Sequence, residues 1–149
     1  MHAYVAAGAG FLLAVLWFDL MFDVQVLGHA GGDVPEEVLA SIAAYYRRVT
    51  TEARPMNRLI AVAMLATLFA ILVQLLRNDA PRWVSAVSAV TAVAPIGLAA
   101  ARTVPSAVRL GARRDSAEIQ STLARAICRD HLCCIASISV LLVTQLAWA

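Results

Sequence analysis

Asp19 and Asp23 stand four residues apart in the stretch LWFDLMFD, at the end of an uncharged run that begins at Ala3. On a helix, positions i and i+4 share a face, so the two carboxylates lie side by side among Leu, Trp, Phe and Met. An acid facing hydrocarbon is expensive. Acids inside apolar helices turn instead towards a protein interior or a wet cleft, where they serve ion paths, proton relays or reactive sites. The plainer alternative is a structural ion pair that orients the helix. Arg58, Arg102 and His131 are the candidate partners of these acids.

A second pattern is Cys128, His131 and Cys134, spaced i, i+3, i+6 along one helical strip. Thiolates and imidazole suit Zn or Cu(I). A strip on one helix seldom completes a coordination shell, however, and Cys also serves as a small hydrophobe. Asp19, Asp23 and His131 form an alternative set for one divalent metal. HExxH, ExxH, CxxC and the Gly-rich phosphate loop are all missing from the sequence. Cys133 and Cys134 are adjacent on a helix and point apart, which argues against a disulfide between them.

These residues are set in a very apolar chain. Of 149 residues 61% are hydrophobic, and mean hydropathy is +0.75. Soluble domains hold about 45–50% apolar residues. The excess is gathered into runs at about 3–26, 57–76, 83–101 and 131–148, each near the roughly 20 residues that cross a bilayer as a helix. The expected fold is therefore all-α: one domain over residues 1–149, an integral membrane four-helix bundle. The first run is too long, and its start too poor in basic residues, for a signal peptide. Pro95 should kink the third span.

The link between the first two spans carries a shorter helix. Asp33-Val34-Pro35-Glu36 reads as its start, with Asp33 and Glu36 as a capping box. Val38, Leu39, Ile42, Tyr45, Tyr46 and Val49 then follow at amphipathic spacing. This is expected to be a helix lying at the membrane interface. Asp115 and Glu118 form a second capping box, from which a long fourth helix runs out of the cytoplasm into the last span. All twelve basic residues are Arg. Arg47, Arg48, Arg54, Arg58, Arg102, Arg109, Arg113, Arg114, Arg125 and Arg129 lie in or beside the two long links, against Arg77 and Arg82 on the other side. The positive-inside rule then places both links in the cytoplasm and both termini outside, as in the plasma (inner) membrane of a bacterium. A net charge of +2 and the lack of a basic stripe speak against nucleic acid as a partner. This threading gathers Asp19, Asp23, Gln25, His29, Arg54, Asn57, Arg58, Arg102, Asp130 and His131 at one end of the bundle.

The layout resembles the anthrone-oxygenase-like family of small four-helix membrane proteins. The resemblance rests on AYYRRVTTEARPMNRLIAV with Asn57 at the entry to the second span, on ARTVPSAV with Thr103 and Pro105 after the third, and on RDHLCCIASISVLL with Asp130 and His131 opening the fourth. It covers most of the chain loosely. Where the family has Asn before its Pro this chain has Thr103, and where an Arg-Thr pair follows the His it has Cys133 and Cys134. The resemblance implies oxidation of an anthrone by O₂. His131 or Asp23 would be the base that removes an acidic C–H proton. Asn57 and Arg58 would stabilise the oxyanion; Asp19 and Arg102 join the candidate site from their depth in the bundle, not from the resemblance. Trp17, Phe18 and Phe22 would line an apolar substrate pocket. No cofactor, or one divalent metal, would be needed.

Two other classes compete with this expectation. One is a non-catalytic membrane subunit whose Asp/Arg/His cluster is a structural network, packed against a partner subunit or a second copy. The other is a small transporter or proton pathway through Asp19 and Asp23. All three share the lipid bilayer as a partner, and the first adds an apolar small molecule.

Overall fold

A computed structural model describes residues 1–29 and 31–149; the side chain of Arg54 lies outside the described part. The elements in chain order are α1 (His2–Asp23), a 3₁₀ turn (Val24–Gly28), α2 (Glu36–Arg47), a π turn (Arg48–Glu52), α3 (Arg54–Arg77), α4 (Arg82–Leu98), a second π turn (Ala99–Thr103), α5 (Val104–Ala112) and α6 (Ala117–Ala147). The fold is all-helical, with no strand among the described residues. Four helical segments are long and apolar enough to cross a membrane: His2–Gly28, Pro55–Arg77, Arg82–Ala112 and Ala117–Ala147.

The boundaries have local causes. α3 ends where Asn78 enters the left-handed region at φ 52°, with Asn78 N–H bonded to Leu75 O and Asp79 N–H to Gln74 O. This paired closure is the usual helix stop, and Asn tolerates it without a glycine. The caps differ from the sequence expectation. Pro35, not Asp33, stands at the start of α2, which has no side-chain cap. Ser116, not Asp115, caps α6 by accepting from Ile119 N–H. Asp115 instead takes two hydrogen bonds from Arg109, at 2.8 Å each. The guanidinium holds the Asp115 carboxyl below the usual carboxylate range.

Pro95 lies inside α4 and has no N–H for the carbonyl of Thr91, four residues back. Ser137 Oγ on α6 donates to that carbonyl at 3.2 Å. The Pro defect thus becomes a bond between two helices. The third span, expected to end near residue 101, does not stop there: the chain stays helical through the second π turn into α5.

The long helices alternate in direction, with α6 packed against α1 and α4, and α3 closing on α1 and α4. At one end the N-terminal amine lies 3.8 Å from Asp79, and the rings of Trp83 and Trp148 meet edge to face. At the other end Asp23 meets His131. Between the long helices runs one apolar core, including Val5, Ala9, Leu12, Ile71, Ala92, Ile138 and Leu141. A second core forms where α2 and α5 fold over the far end onto the first half of α6, including Leu39, Ile42, Tyr46, Leu110 and Ile127. The apolar face of α2 is therefore buried on protein, where the sequence suggests a helix resting on lipid. The α2–α5 approach is close enough that a Cβ on Gly111 would lie 2.8 Å from the backbone N of Arg47.

Candidate active site

The polar residues gather at the seam between the two cores. α1 brings Asp19 and Asp23, one turn apart. α6 brings His131, and α2 brings Tyr45 and Tyr46 down from above. His131 Nδ1 lies 2.6 Å from Asp23 Oδ2. Tyr46 donates its hydroxyl to Asp23 Oδ1 at 2.6 Å, so the fully buried Asp23 carboxylate has a partner on each oxygen. Tyr45 donates to Asp19 Oδ1 at 2.7 Å, and Asp19 Oδ2 stands 3.8 Å from His131 Nε2. The imidazole thus sits between two Tyr–Asp pairs, one on each ring nitrogen. Phe22 stacks on Tyr45 with centroids 4.2 Å apart, which fixes the ring that reaches Asp19.

Burial pushes the phenols of Tyr45 and Tyr46 above their ordinary range, and the facing carboxylates of Asp19 and Asp23 push the same way. Both therefore stay hydrogen-bond donors. Because Asp23 accepts from Nδ1–H, His131 is held as the tautomer whose Nε2 lone pair is free. His131 lines a cavity of about 350 Å³ between α1, α3, α4 and α6. Its walls are mostly apolar, from residues such as Leu12, Leu16, Ile60, Met64, Ile96 and Ile138. The polar lining is provided by Asp19, Tyr45, Tyr46, His131, Asn57, Thr50 and Thr103.

The sequence candidates divide on this geometry. Asp19, Asp23 and His131 come together. Asn57 lines the cavity and donates Nδ2–H to Thr50 O at 3.0 Å. Arg102 does not meet Asp19 or Asp23. Its Nε lies 3.2 Å from Asp130 Oδ2, which Thr103 Oγ1 also approaches at 3.4 Å. Arg58 is exposed on α3 and does not line the cavity, and among the described residues no Arg side chain does. Of the three aromatics, Phe18 alone is in the lining. Trp17 points outward, 63% exposed, and Phe22 lies behind Tyr45. Asp19, Asp23 and His131 do not converge as metal ligands, because the two carboxylates flank different ring nitrogens. Among the described residues no group of three or more His, Cys, Asp or Glu is placed to hold an ion, the Cys128–His131–Cys134 strip included. Of that strip, Cys134 lines the cavity while Cys128 belongs to the second core.

Sequence reasoning counts Tyr45 and Tyr46 only as apolar positions of α2. The usable signal was their hydroxyls: two adjacent Tyr on the buried side of a helix need buried acceptors, and Asp19 and Asp23 are such a pair. Comparison with protein-family models, with curated proteins and with solved structures gave no match.

Proposed function

We propose that this chain is a membrane enzyme of the anthrone-oxygenase-like type, which oxidises an apolar aromatic carbon acid with O₂. In this reading the four long helices cross a bacterial plasma membrane, with the Arg-rich links in the cytoplasm and both termini outside. The outward apolar rows support the bilayer: Leu59, Val62, Leu65, Phe69, Leu72 and Leu76 are all exposed along α3. One observation carries the enzyme reading. An apolar cavity of substrate size is lined by His131, whose Nδ1 is held by the buried Asp23.

The steps follow from the residues. His131 Nε2 takes the acidic C–H proton of the bound substrate. Asp23 fixes the ring and, with Asp19, stabilises the imidazolium that forms. The amide of Asn57, whose second N–H is not used by Thr50, faces the cavity as a donor for the enolate oxygen. The carbanion gives one electron to O₂, and the resulting radical pair joins through a new C–O bond. The peroxide takes the proton back from His131 and loses water, so that CH₂ and O₂ become C=O and H₂O.

The test is oxygen uptake by the purified protein in lipid nanodiscs supplied with an anthrone. Uptake with quinone formation in the wild type, lost in a folded His131→Ala variant, is the expected result. Equal rates in wild type, variant and empty nanodiscs would overturn the reading. Unfolding of both His131→Ala and His131→Gln would favour a structural network instead.

A further inference from the structure

The charges around the cavity point beyond the reaction just described. Asp19 lines its polar end, and the imidazole of His131 stands between Asp19 and the fully buried Asp23 behind it. With both carboxylates ionised, a protonated His131 balances only one of them. Among the described residues no Arg side chain lines the cavity. Arg102 is 47% exposed and paired with Asp130. Among the described residues His131 Nε2 has no hydrogen-bond partner, and Asp19 Oδ2 stands beyond hydrogen-bond distance from it at 3.8 Å. Both atoms belong to side chains of the lining.

Such a place rejects phosphate and carboxylate head groups, because it offers them repulsion and no counter-charge. It suits a positive charge on an apolar body. In a low-dielectric site a cation beside a carboxylate is held far more strongly than in water, and the Tyr45 and Tyr46 rings add an aromatic wall. Access fits the same class. The exposed members of the lining are the apolar Phe18, Met56 and Val104, with the uncharged amide of Asn57 beside Met56. We infer that the cavity is also a binding site for lipophilic cations, a protonated amine on an aromatic or alicyclic body, held by Asp19. This uses the threading proposed above but not the oxygenation chemistry.

The experiment compares 1-pyrenemethylamine with 1-pyrenemethanol, which differ in charge and hardly in shape. Binding is read by energy transfer from tryptophan to pyrene in zwitterionic nanodiscs, with partitioning into empty discs subtracted. The expected result is tighter binding of the amine by roughly tenfold or more. Asp19→Asn should abolish that preference, and Ile60→Trp, which fills the cavity away from the charges, should weaken both ligands. Equal affinity for the two ligands overturns the inference, as does an amine preference that survives Asp19→Asn, or binding of the amine that Ile60→Trp leaves unweakened. Should Asp19→Asn fail to fold, the Ile60→Trp arm decides. No turnover is measured, so failure here leaves the oxygenase reading to its own test.

Discussion

Asp23 and His131 form a buried carboxylate–imidazole pair at 2.6 Å in which the carboxylate has no solvent exposure. The pair resembles a base and its orienting acid more than a surface salt bridge. Asp23 cannot be reached from the cavity, and His131 can.

Replacing Asp23 by Asn keeps the shape and removes the obligatory acceptor at Nδ1. On the proposed chemistry, oxygen uptake falls by about a hundredfold or more, because the ring loses its fixed tautomer and its counter-charge. Circular dichroism should still show a helical protein. Unchanged uptake would remove Asp23 from the mechanism.

Tyr46→Phe leaves one oxygen of a buried carboxylate without its donor. The cost should be about 1–3 kcal/mol, read as a lowered midpoint in thermal or denaturant unfolding. Tyr45→Phe should cost less, since Tyr45 and Asp19 are only half-buried and border the cavity. The reverse order would mean that the Tyr45–Asp19 arm supports the fold more than the Tyr46–Asp23 arm does.

Alkaline titration gives an independent readout. The folded-state pKa of each of these tyrosines is raised above the unfolded value of about 10. Their contribution to stability is therefore full below about pH 10 and fades as pH rises further. Phenolate absorbance from Tyr45 and Tyr46 should appear only as the helical signal is lost. Ionisation of both in a fully helical protein would contradict the burial described here.

Two glycines should respond oppositely to alanine. At Gly111 the new Cβ would strike the backbone of Arg47 at 2.8 Å, so α2 must lift from α5. Overpacking of this kind costs about 1–3 kcal/mol, and the lift should weaken the Tyr46–Asp23 contact as well. At Gly10 nothing lies within 4 Å, and Ala in α1 should stabilise by about 0.5–1 kcal/mol. Paired melting curves of Gly111→Ala and Gly10→Ala check both signs.

The four long helices were legible because hydropathy acts over twenty residues at a time. The pairing of Asp19 and Asp23 on one face was legible because helical spacing alone sets it. Partner choice was not. Arg102 and His131 are both plausible partners from the sequence, and only the π turn at Ala99–Thr103 shows that Arg102 faces Asp130. Tyr45 and Tyr46 escaped for a similar reason. Period and hydropathy say which side of α2 is buried, but not that this side covers two carboxylates rather than lipid. The caps failed on a finer scale: Asp33 and Asp115 have the right spacing, while Pro35 and Ser116 take the positions.

The site is also ordered in time. Ribosomes deliver Asp19 and Asp23 first. Tyr45 and Tyr46 follow, 26 and 23 residues behind their respective acids, whereas His131 trails Asp23 by 108. On the membrane reading, a nascent α1 meets the translocon with two unneutralised acids, and the first partners it can recruit are phenols, not a cation. The α1–α2 hairpin is then the natural early assembly. Chains arrested before α6 should be held at the insertion machinery, or degraded as unassembled, until the histidine arrives.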